Sequence, residues 1–337
     1  MIIPVKTSCG CYDIVLERGA LLRAGELLEL ERKVLVVTDS GVPENYAKSV
    51  AAVCKDAVIV TIKEGEESKN IKTLEILLSA LVENNFTRTD CIVAVGGGVV
   101  GDLSGFAASI FMRGIDFYNI PTTVLSQVDS SIGGKTAIDY MGIKNIVGAF
   151  YPPKKVIIDA ETLKTLPQRQ ISNGLCEALK MAATFDEKLF EIFEKGDPLK
   201  DIDTVIEGAL RIKKAVVEAD EKESGVRKVL NFGHTLAHAV ETANNMQNLY
   251  HGECVALGML PMCSKAVRER LTCCLKKLNL PIEINAKAEE LIEACRHDKK
   301  AAGEEITVVL CEKIGEYILK KIPFSELEIL IKEVTER

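Results

Sequence analysis

The chain has 337 residues, 47% of them hydrophobic and 27% charged, the balance of a globular protein of about two domains. Forty-nine acidic side chains against 42 basic ones leave a net charge of −7, which argues against a nucleic-acid partner, whose phosphates call for concentrated Lys and Arg. Eleven cysteines at scattered spacings, none in a Cys-x-x-Cys pair, exclude a disulfide framework, and the N-terminus lacks a basic and then apolar leader, so a reduced, soluble, cytoplasmic protein without a membrane span is expected.

The first half alternates strand-like and helix-like segments. Lys33 to Asp39 is a β-branched run ending in an acid, Pro43 to Lys55 reads as a helix, and Ala57 to Ile62 as a second strand. Ile71, Leu74, Leu77, Leu78 and Leu81 recur at helical spacing within Asn70 to Asn84. Cys91 to Gly98 is a strand running into a glycine turn, and Gly101 to Met112 opens a helix. Strands follow at Asp116 to Ile120 and Lys155 to Asp159. This order predicts a Rossmann-like α/β domain with a parallel sheet, assigned to residues 1–163. Helices then dominate: Gln170 to Lys195, Asp201 to Ala219, Gly233 to Asn245 and Gly252 to Arg270. Two short strands around Lys313 to Gly315 close the chain. Residues 164–337 are therefore read as a helix-rich second domain.

Polar residues gather where these elements end. The segment Val95 to Leu103, VGGGVVGDL, suits a phosphate, because glycines let backbone N–H groups approach it and the helix N-terminus favours its charge; a tight structural turn would read the same way. Asp39, at a strand end, is placed to hold ribose hydroxyls or to cap a turn. Pro121 to Thr136 concentrates hydroxyls, with Asp129 and Lys135 flanking Gly133 and Gly134. Glu177 and Lys180 lie one helical turn apart. Three of the four histidines follow closely: His234, His238 and His251. Arg227, Asn231, His234 and His238 fall at i, i+4, i+7 and i+11, one stripe if the segment is a single helix. From spacing, the His234/His238 pair suits a metal as well as it suits a solvated helix face. Glu177 with His234 and a second imidazole would make a Glu/His/His zinc site with an open position.

Taken together, GGGVVGD, PTTVLSQVDSSIGGKT, NGLCEALK, DEKESGVRKVLNFGHT, HGE and HDKK resemble, in the same order, the 3-dehydroquinate synthase family of sugar phosphate cyclases. The resemblance implies an NAD-binding α/β domain and a helical domain holding zinc, or cobalt. It implies NAD contacts from Asp39, from Glu64, Gly65, Glu66, Glu67, Ser68 and Lys69, and from Gly98, Val99, Val100, Gly101 and Asp102. Thr122, Thr123, Lys135 and Lys144 extend that set, as do Thr162, Leu163, Lys164 and Thr165. Glu177, His234 and His251 become the metal ligands, which replaces the His234/His238 pairing, and His238 faces the substrate phosphate. Asp129, Lys135, Asn145, Lys180, Lys213, Glu223, Arg227, Asn231 and Lys299 correspond to substrate positions. Arg113 corresponds to an arginine that reaches a neighbouring subunit, so a homodimer is implied.

The implied substrate is a small sugar-acid phosphate, 3-deoxy-D-arabino-heptulosonate 7-phosphate. Its conversion to 3-dehydroquinate and phosphate runs through transient oxidation, phosphate elimination, reduction and aldol closure. Lys180, Arg227 and Asn231 suit its carboxylate. A glycine usual in the family's GHTxGHA motif is Ala237 here, where local repacking is expected. The alternatives are 2-deoxy-scyllo-inosose synthase, whose substrate has no carboxylate, a glycerol-dehydrogenase-like enzyme, and a non-catalytic relative.

Overall fold

The computed structural model describes residues 1–8, 10–242, 249–297, 301–302 and 305–335. The chain divides into two compact units, Met1–Pro167 and Gln168–Arg337.

The first unit is built on a seven-stranded sheet in the order β1-β2-β9-β6-β5-β3-β4. A hairpin of β1 (Ile2–Thr7) and β2 (Gly10–Leu16) forms one edge. The other neighbours are parallel: β3 (Lys33–Asp39), β4 (Asp56–Ile62), β5 (Cys91–Gly96), β6 (Asp116–Pro121) and β9 (Lys155–Ile158). Period-two alternation in β3 sends Val34 and Val36 to one face and Leu35 and Val37 to the other, and both pairs are fully buried. A short continuous apolar run is what a parallel strand covered on both faces requires.

On one face lie α1 (Ala24–Leu27) and α2 (Glu44–Ala51), with Ala24, Ala47 and Val50 in the core. On the other lie α3 (Ile71–Glu83) and α4 (Gly98–Ile110). Asn70 caps α3 by accepting the Thr73 N–H at 3.0 Å. A separate hairpin of β7 (Lys135–Tyr140) and β8 (Ile143–Phe150) packs on α4 and buries Ile138. The helix expected from Gly101 begins three residues earlier, at Gly98. The chain turns directly from β5 into α4 because Gly96 has no side chain; a Cβ there would lie 2.6 Å from a Val100 methyl.

The second unit carries α5 (Gln168–Phe185), α6 (Glu187–Lys195), α7 (Ile202–Ala219), α8 (His234–Thr242), α9 (His251–Met259), α10 (Lys265–Lys277), α11 (Ala288–His297) and α12 (Phe324–Thr335). A small sheet joins them, β10 (Ala301–Ala302), β11 (Glu305–Leu310) and β12 (Ile318–Pro323), with Gly315 in the turn at φ +84°. Two expected helices are each divided. Asp186 interrupts Gln170–Lys195 and caps α6, accepting N–H bonds from Lys188 and Leu189. Pro261 and the extended Cys263 interrupt Gly252–Arg270, because proline brings no N–H and the backbone flanking Cys263 hydrogen-bonds to that of Cys311 instead of continuing the helix. Among the described residues no helix is long and apolar enough to cross a membrane, and every described cysteine is a free thiol.

Candidate metal and substrate site

Helix α5 is the centre of the second unit, buried from Ser172 to Thr184. Two charged groups lie inside it, Glu177 at 1% exposure and Lys180 at 2%. Their i, i+3 spacing sets the ammonium against the carboxylate as an ion pair. Burying such a pair for packing alone is poor economy, since desolvation offsets much of the attraction. Oε2 of Glu177 meets that ammonium, whereas Oε1 is buried with no hydrogen-bond donor within bonding distance among the described residues.

Two imidazoles face that carboxylate. His234 Nε2 lies 3.7 Å and His251 Nε2 3.5 Å from Glu177 Oε1. The three donor atoms fall within 4.8 Å of one another. Ligands bound to a tetrahedral zinc at about 2.0–2.1 Å stand roughly 3.3 Å apart. The triad therefore fits a cation with small adjustments, and a cation would satisfy Oε1, the carboxylate oxygen that faces the two imidazoles. Burial pushes the Glu177 carboxyl up, but Lys180 first and then His234 and His251 hold it well below its usual range. Burial disfavours a charged His251, and Glu177 with Glu241 outweighs it, raising the ring to about 9. His238 stands 6.0 Å from the His234 ring, edge-on, and lies outside this convergence.

The residues after His251 explain how its ring reaches Glu177. Gly252 at the start of α9 lies against α5, its N–H donating to Asn173 Oδ1 at 2.6 Å. A Cβ on Gly252 would overlap the Asn173 carbonyl oxygen. Glu253 receives a two-pronged bond from Arg169, both at 2.7 Å, and accepts the Tyr250 N–H at 2.8 Å. The Arg169 guanidinium also lies 4.2 Å from the Tyr250 ring centre. In His251-Gly-Glu the first residue is thus the imidazole, the second permits contact and the third anchors the turn. Helices α8 and α9 approach as closely. A Cβ on Gly258 would overlap the Gly233 carbonyl oxygen and lie 2.9 Å from the Ala237 nitrogen. Ala237 is fully buried at that crossing.

The expected single stripe through Arg227, Asn231, His234 and His238 is not one helix. Val226–Asn231 forms a 3-10 turn, Phe232 is extended, and Gly233 takes φ +79° before α8 begins. A left-handed glycine ends helical continuity, so His234 is set independently of Arg227. The stripe runs on along α8 instead, through His234, His238 and Glu241. Asp220 organises the upstream loop by accepting N–H bonds from Ser224, Gly225 and Arg227. Against some desolvation, these bonds hold its carboxyl at about 2. Arg227 is 3% exposed and donates to the Glu221 carbonyl. Asn231 donates to Glu223, which has φ +60°. Lys213 is buried on α7, and α5 packs against both α7 and the Val226–Asn231 turn. Lys299 lies outside the described residues.

In the first unit the sites named for NAD, Lys135 and Lys144 on the β7–β8 hairpin excepted, follow the carboxyl ends of parallel strands, where open α/β sheets bind nucleotides. Asp39 ends β3 and accepts the Gly41 N–H at 2.8 Å. Burial, with Glu64 nearby, raises its carboxyl above the usual range. Glu64, Gly65, Glu66, Glu67 and Ser68 follow β4. Lys69, buried, pairs with Asp102 at 2.6 Å and bonds to Asn145 on β8. Gly98, Val99, Val100, Gly101 and Asp102 form the first turn of α4. Thr122 and Thr123 follow β6, and the Thr123 hydroxyl accepts the Ser126 N–H. Asp129 sits in the π-turn Ser126–Ser130, whereas Lys135 and Lys144 are exposed on the hairpin. Thr162 points inward, its hydroxyl bonded to the Asp159 carbonyl and to the Gln127 amide. Leu163 is buried, Lys164 is exposed beside Glu161, and Thr165 contacts Tyr46. Arg113 is exposed in a turn where Met112, Arg113 and Gly114 all have positive φ.

Residues 59–173 match the family model described as 3-dehydroquinate synthase N-terminal, and residues 174–301 the one described as 3-dehydroquinate synthase C-terminal. A 3-dehydroquinate synthase of Clostridium acetobutylicum is 42% identical over 336 residues, covering 94% of each chain. That of Campylobacter concisus is 41% identical over 309 residues, covering 88% of this chain and 89% of its own. The chain belongs to the 3-dehydroquinate synthase family. Its fold is that of the sugar phosphate cyclases. The structure of 2-epi-5-epi-valiolone synthase from Streptomyces hygroscopicus subsp. jinggangensis 5008, with NAD+ and Zn2+ bound, superposes with a TM-score of 0.87 at 26% identity over 97% of both chains. A 2-deoxy-scyllo-inosose synthase structure gives 0.86 at 23% identity, covering 99% of this chain and all of its own. A probable glycerol dehydrogenase from Sinorhizobium meliloti 1021 gives 0.63 at 15%, covering 96% of both chains, a likeness of fold alone.

Proposed function

We propose that this member of the family converts 3-deoxy-D-arabino-heptulosonate 7-phosphate to 3-dehydroquinate and phosphate, using bound NAD and a divalent metal held by Glu177, His234 and His251. The observation that carries the metal assignment is the buried Glu177 carboxylate, whose Oε2 faces the Lys180 ammonium and whose Oε1 is faced by two imidazole Nε2 atoms. When bound, the metal supplies positive charge that acidifies a substrate hydroxyl, and the nicotinamide supplies a hydride acceptor that is restored within each turnover.

The chain's own residues bind and orient. Lys180, buried against Glu177, keeps that carboxylate charged and turns an ammonium toward the same region. Arg227 offers a planar fork suited to a carboxylate, on a backbone already fixed by Asp220. Asn231, positioned by Glu223, adds a neutral amide. His238, one turn beyond His234 and outside the metal ligands, would meet the substrate phosphate. The strand-end residues from Asp39 to Thr165 hold the dinucleotide.

This set favours a substrate with a carboxylate over glucose 6-phosphate, which has none. Turnover of the two phosphates measured in parallel tests the choice: the heptulosonate phosphate is consumed and glucose 6-phosphate is not, and the reverse would reassign the chain to the inosose synthases. Arg227→Ala should raise KM for the sugar-acid phosphate by about 10–100-fold, the equivalent of roughly 1.5–3 kcal/mol for a lost charge-assisted bond, and leave NAD affinity within about twofold. Equal weakening of both ligands would remove Arg227 from the carboxylate position.

A homodimer fits the exposed apolar side chains Ile143, Ile146, Val147 and Phe150 on β8, beside α4 and the strained Arg113 turn. Sedimentation of the protein at micromolar concentration should give twice the chain mass, and a single-chain mass would count against it.

A further inference from the structure

We infer that Glu241 is a positioning residue for the metal site, fixing His251 so that its Nε2 points at the cation. The inference rests on the reading of Glu177, His234 and His251 as ligands and adds a residue to it. His251 Nδ1 lies 3.0 Å from Glu241 Oε1, and the Glu241 side chain is largely buried at 14% exposure. A carboxylate can only accept here, so Nδ1 keeps its proton and Nε2, 3.5 Å from Glu177 Oε1, is the nitrogen that gives up its proton to face a bound cation.

His234 is treated in parallel but with a weaker partner. Its Nδ1 lies 3.3 Å from the Phe232 carbonyl oxygen, which also only accepts. The two imidazoles thus present the same tautomer and the same atom to one point. They differ in that a neutral carbonyl orients one and a charged carboxylate the other. A carboxylate behind a ligating imidazole makes it a stronger donor and holds the ring plane. Glu241 reaches His251 because both lie at the α8–α9 crossing, and it shares the α8 face with His234, seven residues earlier.

The test is Co2+ affinity of the apoprotein, read from the visible absorption of the bound ion in competition with a chelator, beside the thermal midpoint of the metal-free protein. Glu241→Ala should weaken Co2+ by about 10–100-fold, the usual effect of removing such a partner. Glu241→Gln should fall between, since its amide oxygen still accepts from Nδ1 without the charge. Both metal-free variants should melt with the parent. Unchanged Co2+ affinity in Glu241→Ala, with affinity lost in His251→Ala, overturns the role of Glu241 and leaves the ligand set standing. Unchanged affinity in His251→Ala overturns the ligand set itself. Weakened binding accompanied by a lowered metal-free midpoint in both Glu241 variants marks a prop of the fold and also overturns the inference.

Discussion

Replacing His251 with alanine is expected to leave a folded protein that holds no divalent metal after dialysis and turns over at background. Glu177, His234 and His251 are the only His, Cys, Asp and Glu side chains among the described residues that converge on one point. Removing one leaves two protein ligands where a catalytic zinc takes three. The metal's share of charge stabilisation is several kcal/mol, so a fall of at least about 100-fold in rate follows. The fold should survive, because the His251 side chain is 36% exposed and α9 is anchored by Gly252 and Glu253 instead. Metal content by atomic emission, with circular dichroism as control, reads the result. A folded variant with one equivalent of zinc would show that the ligands lie elsewhere.

Gly252→Ala should be nearly as damaging, although it removes no functional atom. The new methyl group would overlap the Asn173 carbonyl oxygen and lie 2.9 Å from Asn173 Oδ1. These are backbone and hydrogen-bonded groups of a fully packed helix, so α9 must lift away from α5. Overpacking of this kind costs about 1–3 kcal/mol. The larger consequence is geometric, because Glu177 is on α5 and His251 on α9. A displacement on the order of 1 Å at a reacting centre can lower the rate about 100-fold. The expected outcome is a lower urea midpoint together with metal affinity and turnover each reduced by about 100-fold. Parental metal affinity in a destabilised Gly252→Ala protein would separate the crossing from the site.

The parallel strands β3, β4, β5, β6 and β9 were legible because their apolar runs are short, mostly β-branched and bounded by turns, whereas the edge hairpin of β1 and β2, with polar residues in both strands, was not read. The glycines of the β5–α4 turn were legible because close approach leaves no substitute for them. What spacing misjudged was continuity. Arg227 to His238 fits a helical period, but Gly233 at φ +79° divides it, and only the backbone reveals that break. The hairpin of β7 and β8 was hidden within a stretch read for its hydroxyls. Its turn, Met141 at φ 51° and Gly142 at φ 78°, is a two-residue connection of the left-handed kind, and methionine there gives little signal. Glu241 was missed because its partner is on another helix. Its place seven residues after His234 was the available hint. Lys69 was named for the nucleotide, yet its contacts with Asp102 and Asn145, which join three separate segments, lie beyond any local pattern.

The most direct test of the central claim is release of inorganic phosphate from 3-deoxy-D-arabino-heptulosonate 7-phosphate, followed together with absorbance at the nicotinamide band. With NAD and Zn2+ present, phosphate should appear in step with 3-dehydroquinate while the nicotinamide absorbance shows no net gain. A chelator should stop the release, and Zn2+ or Co2+ should restore it. No phosphate in the presence of both cofactors, or NADH accumulating mole for mole with substrate consumed, would contradict the account.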